Sequence, residues 1–307
     1  MFSGMETFQI VGDLHFYLGS KRPFQPSMLE PLAGANYLLV TGDITQPYTK
    51  EAFSFYGHCA KNWKKTFIVM GNQEYESAGY YYPFTMDYSE AYMRHLIKII
   101  NAEYSEEKLV FIQHDFVELP ELQLRVAGLT LWANGTRLET LRKTLLKPNN
   151  TYSFSLEEDQ CSLTLNMKLK HFKSYVLTTD EFSIHEKGNP DGVRNPFDND
   201  GSVSVSKINQ EDLVKLQKKD TEFVEQMITE CLDKGYRLMM VSHFVPTLDV
   251  LPETLAVNNY IDPFPYEEFC RDMTKYLKEP ICAWICGHIH EEQITGLVHV
   301  NCTSVKI

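Results

Sequence analysis

Five short stretches carry the side chains that could do chemistry: Gly12-Asp13-Leu14-His15, Gly42-Asp43, Gly71-Asn72-Gln73-Glu74, Ser242-His243 and Gly287-His288-Ile289-His290. Each follows a short apolar run, and together they offer carboxylate, imidazole and amide groups without a thiolate or a cationic side chain. Oxygen and imidazole donors of this kind suit Mn²⁺, Fe or Zn²⁺. The candidate ligands Asp13, His15, Asp43, Asn72, His243, His288 and His290 are too many for one ion. Two ions need a shared carboxylate, and Asp43, with no histidine beside it, is the natural bridge. Such ions sit roughly 3.5–4 Å apart and polarise a bridging hydroxide, an arrangement suited to in-line attack on phosphorus. Asp13 and His15, like His288 and His290, stand two residues apart and would project to one side of an extended segment. Taken singly, an Asp-x-His after a strand is a capping turn and His243 is a core histidine. The ordered recurrence of all five at strand ends carries the metal reading.

The elements that must position these residues alternate. Residues 7–11, 37–41 and 66–70 are near-continuous apolar runs of strand length, as expected of strands buried on both faces. Helical spacing appears over 49–63 and 86–101, which makes the first half a layered α/β unit. Shorter β-like runs follow (VFI, FVEL, LQLRVAGLTLW), then a charged amphipathic helix near 209–234, the strand RLMMVSH, a helix near 265–278 and the strand ICAWICGHIH. The closing ITGLVHVNCTSVKI alternates as a solvated edge strand does. In open α/β sheets the ligand crevice lies at the carboxyl ends of the strands, so a parallel arrangement would gather all seven candidates. One domain, 1–307, is expected, with an insertion at about 134–208. Its Gly-, Pro-, Asn- and Asp-rich stretch 183–202 is either a substrate-facing lid or a plain surface insertion.

Bulk properties narrow the partners. A formal net charge of −12 argues against a surface that tracks long nucleic acids, whereas a bound cation would let an acidic protein take a small phosphorylated ligand. Seven scattered cysteines, with no pair of CxxC units, read as reduced core residues. There is no run of about 18 apolar residues. The N-terminus has no cationic segment followed by an apolar stretch, so a soluble, cytoplasmic protein is expected and the sequons at Asn134, Asn149 and Asn301 carry no weight. The oligomeric state is not indicated.

The motif order Asp-x-His, Gly-Asp, Gly-Asn, single His and Gly-His-x-His, spanning residues 12–290, resembles the calcineurin-like metallophosphoesterase superfamily. The stretch VAGLTLW at 126–132 is similar to a segment of its small predicted phosphohydrolases, while the signature of the phosphoprotein phosphatase branch is missing, since Ile-Thr-Gln follows Gly42-Asp43. The resemblance implies an α/β, four-layer αββα sandwich with two divalent ions between the sheet tips. It also implies that Asp13, His15, Asp43 and His290 hold one ion and Asp43, Asn72, His243 and His288 the other. Its catalytic set maps onto Asp43, Asn72, Gln73 and Glu74. Gln73 departs from the pattern, standing where the family has a histidine that protonates the leaving oxygen with help from the following acid, here Glu74. Glutamine donates a hydrogen bond but not a proton.

The function expected is hydrolysis of a small phosphomonoester, phosphodiester or nucleotide-like substrate. His58, His114 and His185 are candidates for a second histidine at the phosphate. One alternative is a binding or scaffold protein that keeps the fold and has lost the chemistry. Another is a nuclease, for which Tyr80, Tyr81 and Tyr82 would have to stack bases, although without nearby cations they read better as a pocket wall.

Overall fold

The computed structural model describes residues 6–16, 23–47, 49–75, 86–133, 178–179, 182–183, 210–250 and 270–307. Strands β1 (Thr7–Val11), β2 (Ala35–Val40), β3 (Lys65–Ile68) and β4 (Leu109–Phe111) run parallel, and β13 (Ser304–Lys306) joins β1 antiparallel. A second sheet has the order β11-β12-β10-β9-β6-β5, built from β5 (Asp115–Leu119), β6 (Leu124–Leu129), β9 (Arg237–Ser242), β10 (Ile281–Cys286), β11 (Gln293–Thr295) and β12 (Val298–Val300). Its inner strands β6, β9, β10 and β12 are mutually parallel. Among the described residues a two-residue antiparallel pair, β7 (Thr178–Thr179) with β8 (Phe182–Ser183), belongs to neither sheet. Among the described residues the α-helices are α1 (Lys50–Asn62), the single turn α2 (Asn72–Tyr75), α3 (Met86–Asn101) and α4 (Gln210–Lys234).

The apolar runs fold as they do because both faces of each central strand are covered. Phe8, Ile10, Leu39 and Phe67 of the first sheet meet Val126, Met239, Val241 and Ile285 of the second in one apolar layer. The opposite faces, with Leu38, Val40 and Ile68 on one sheet and Leu238, Met240 and Trp284 on the other, pack in the cluster that also holds Phe55 and Cys59 of α1, Met93 and Leu96 of α3, and Val224 and Met227 of α4. Thr49 caps α1 by accepting from the Ala52 N–H.

The register decides what the ends present. Val11 lies beside Val40, and Val40 beside Ile68, so the segments after β1, β2 and β3 leave the first sheet at one edge. In the second sheet Ile285 lies beside Val241, which brings residues 243 and 287–290 to a common edge.

Two expectations change. Among the described residues of 265–278 there is no α-helix, only a 3₁₀ turn at Thr274–Tyr276. Cys270 bridges Val245, and the N–H groups of Arg271 and Met273 donate to Val245 and Pro246, so the loop after β9 claims these backbone groups before a helix can. The closing segment is not one edge strand: its last strand crosses to the first sheet and pairs with β1. The proposed insertion at 134–208, apart from β7 and β8, lies outside the described residues, as do the 183–202 stretch beyond Ser183, Tyr80–Tyr82 and His185. Among the described residues no helix is long and apolar enough to cross a membrane. Of the seven cysteines the six described ones are free thiols, five of them buried.

Candidate metal centre

Backbone conformation at the strand ends is unusual in one consistent way. Asp13, His15, Asp43, His288 and His290 all have left-handed backbone, with φ of 54°, 53°, 55°, 73° and 56°. For residues with a Cβ this costs on the order of 1–2 kcal/mol each and persists only where surroundings impose it. The surroundings are visible at the first loop, whose N–H groups at Asp13, His15 and Phe16 donate to Gly42, Asp43 and Ile44 carbonyls. The two Asp-x-His and His-x-His pairs therefore project to one side from alternating left-handed residues, not from extended strand. The chain must turn at each strand end, and an extended continuation would miss these carbonyls.

The second and third loops lock together around a carboxylate. Gly71 precedes α2, and a Cβ on it would lie 2.2 Å from Asp43 Oδ1. The missing side chain makes room for Asp43 Oδ1 to accept from the Gln73 N–H at 2.9 Å, capping α2 from a neighbouring loop. Glu74 reaches back in the manner of a capping box. Its Oε2 accepts from the N–H of Gly71 (2.8 Å) and Asp43 (2.9 Å), and its Oε1 from that of Ile44 (2.7 Å). The carboxylate of Glu74, the acid expected to assist residue 73, thus holds the backbone of both loops.

Two clusters of ligand atoms result. In one, Asp43, His243 and His288 converge. His243 Nε2 lies 3.5 Å from Asp43 Oδ2, 3.0 Å from Asn72 Oδ1 and 3.1 Å from His288 Nδ1. The other nitrogen of His243, Nδ1, faces the Thr41 carbonyl at 2.9 Å, which can only accept. Nδ1 is therefore the protonated one, and Nε2 presents a bare lone pair to the cluster. In the second cluster Asp13, His15 and His290 converge. His15 Nε2 and His290 Nε2 are 2.9 Å apart, and Asp13 Oδ1 lies 3.4 Å from His290 Nε2 and 3.9 Å from that of His15. Asp13 Oδ1 is buried and accepts no hydrogen bond.

This crowding of acceptors is unfavourable for protein atoms alone and favourable around a cation, so the donor set fits divalent metal. Protonation equilibria show the same conflict. Burial lowers His243 and His288, keeping both neutral. Burial and repulsion from Asp13 raise Asp43 well above the usual carboxylate range. Burial and the Asp43 charge raise Glu74 to about 8, although its three N–H partners call for the ionised form. For Asp13, burial pushes upward, but the contact with His290, which is raised in turn, outweighs it and holds the group at about 2.

The halves differ in exposure. Asp43, Asn72 and His243 are 2%, 1% and 0% exposed. The side chains of His15 and His290 are 29% and 57% exposed. His58 and His114 bond elsewhere, His58 to the Leu29 carbonyl and His114 to Asp220 on α4 at 2.6 Å. Reading by strand ends missed two residues: Thr41, which acts through its carbonyl and shows no side-chain signal, and Asn301, whose left-handed backbone is visible only in the fold.

No family model matches the chain. An uncharacterized protein, L509 of Acanthamoeba polyphaga mimivirus, is 23% identical over 256 residues, covering 83% of this chain and 71% of that protein. Among solved structures, the phosphopantetheinyl hydrolase PptH from Mycobacterium tuberculosis superposes with a TM-score of 0.50 at 16% identity, over 96% of this chain and 87% of its own. The two chains share a fold, an α/β sandwich of two largely parallel sheets. A dimetal phosphatase from Danio rerio aligns more loosely, with a TM-score of 0.42 at 10% identity over 96% of this chain and 85% of that one.

Proposed function

We propose that this chain is a dimetal phosphoesterase of the metallophosphoesterase superfamily, outside the phosphoprotein phosphatase branch, acting on a small phosphorylated substrate. The observation that carries the reading is the convergence of two histidine–carboxylate clusters from four strand ends, with Asn72 from a fifth set against His243. Asp13, His15 and His290 would hold one ion, Asn72, His243 and His288 the other, with Asp43 shared between them. Manganese, iron or zinc in these positions would supply charge neutralisation for the phosphoryl oxygens and acidify a water for attack.

The chain's own groups then have separate duties. Thr41 fixes the His243 ring, so its lone pair is aimed before any ion arrives. Glu74 holds the loops of Asp43 and Asn72 in register. The Gln73 backbone N–H orients Asp43, and an amide side chain at this position is of the kind that donates a hydrogen bond to a phosphoryl oxygen. Because glutamine delivers no proton, good substrates are those whose leaving oxygen departs without one, such as phosphoanhydrides and aryl esters. Free thiols fit a reducing, cytoplasmic compartment.

The test is a hydrolysis screen with Mn²⁺ across phosphomonoesters, cyclic nucleotides, dinucleotides, pyrophosphates and, in view of the mycobacterial neighbour's name, a phosphopantetheinyl ester. Metal-dependent turnover on at least one class, abolished by Asp43→Asn in a folded protein, is expected. Two bound ions with no turnover on any of these classes would favour a binding protein that has lost the chemistry, and undiminished turnover by the variant would remove Asp43 from the mechanism.

A further inference from the structure

The two oxygens of Asp13 have opposite surroundings. Oδ2 accepts from the backbone N–H of His288 at 2.9 Å. In the amide orientation that satisfies both neighbours, the Asn301 side-chain nitrogen donates to the same Oδ2 at 2.9 Å, while the Asn301 oxygen accepts from the backbone N–H of His290 at 3.0 Å. Oδ2 is thus saturated, and Oδ1 is left with a free lone pair facing the half-buried His15 and the exposed His290. Asn301 is itself fixed: its N–H donates to the Cys286 carbonyl at 2.9 Å, and its φ is 48°, a conformation asparagine tolerates better than most residues. One amide therefore ties the loop after β1 to the loop after β10.

The buried half of the centre is fixed by several contacts, including Thr41 on His243 and Gln73 and Glu74 on the Asp43 loop. The open half, where His290 is 57% exposed, has the Asn301 amide to set both its carboxylate and the backbone of its outermost histidine. We infer that Asn301 is the positioning residue of the open ion position, acting on Asp13 and His290 without touching the ion. This rests on the dimetal reading above.

The test is calorimetric titration of Mn²⁺ into the chelator-stripped full chain, with an elemental count after gel filtration. Asn301→Gly removes the amide and keeps a backbone free to be left-handed. Wild type is expected to bind two ions; in the variant one of them should weaken by about 10–100-fold while the other stays within about threefold. Asn301→Asp, which keeps the size and tolerates left-handed backbone but has no donor for Asp13 Oδ2, should behave alike and serves if the glycine variant melts early. Two ions bound as in wild type by either folded variant, or equal weakening of both ions, would overturn the role of Asn301 and leave the function standing. Loss of folding in both variants would overturn it too, by making Asn301 part of the scaffold. A wild-type chain that binds fewer than two ions would bring down the dimetal reading and this inference with it.

Discussion

Glu74→Gln is the substitution whose effect follows most directly from the structure, because it changes one atom in a buried carboxylate that three backbone N–H groups share. A glutamine oxygen can keep the bifurcated pair from Asp43 and Gly71, at 2.9 and 2.8 Å, and its amide nitrogen must then face the Ile44 N–H across 2.7 Å, donor against donor. Loss of one charge-assisted bond costs about 1.5–3 kcal/mol and the stranded N–H about 1–3 more, so roughly 3–6 kcal/mol is expected in the metal-loaded protein. At about 2 °C per kcal/mol for a chain of this size, the melting temperature should fall by roughly 6–12 °C. Thermal melts of the Mn²⁺-loaded protein followed by circular dichroism read this out. Glu107→Gln, at an exposed carboxylate 3.8 Å from Lys65, should move the midpoint little. A Glu74→Gln midpoint within about 2 °C of wild type would refute the claim that this carboxylate bolts the two loops together.

The metal-free protein should also lose stability as pH rises. Glu74 and Asp43 have folded values above their unfolded ones, so their stabilising contribution is present at low pH and lost as pH climbs through the folded value, about 8 for Glu74. The depressed histidines act in the opposite sense, but only below about pH 6.5. Urea melts of chelated protein should therefore weaken from pH 6.5 to 8, with part of the slope gone in Glu74→Gln; a flat or rising profile contradicts this. Gln73→His should raise kcat/KM most for alkyl esters, since general acid assistance is worth about 10²–10⁴-fold where the leaving group is poor. A leaving-group series that is already shallow in wild type and unmoved by the substitution would show that another group supplies the proton.

The parts of the site that were legible share a physical cause. Strands buried on both faces have to be apolar throughout, as Leu38 to Val40 are, so a sudden Gly-Asp or Gly-His at their ends stands out. Parallel register then does the gathering, and that too follows from helix–strand alternation. What escaped depends on contacts with backbone. Glu74 is visible as an acid, but nothing in its neighbours reveals that it will meet the N–H groups of residues 43 and 44. Asn301 reads as an ordinary polar residue after an alternating run, because the left-handed turn that aims it at Asp13 arises from the pairing of the closing strands with both sheets. The helix expected near 265–278 failed where its described part, from Cys270 onward, is tied to the loop after β9, a contact that helical spacing cannot express.

The central claim is that five strand ends assemble one centre for two divalent ions. Anomalous diffraction from crystals of the full chain grown with Mn²⁺ tests it without reference to any substrate. Two anomalous peaks are predicted, roughly 3.5–4 Å apart, one against Asp13, His15 and His290 and one against Asn72, His243 and His288, with Asp43 in contact with both. A single peak, peaks elsewhere in the molecule, or none would contradict it.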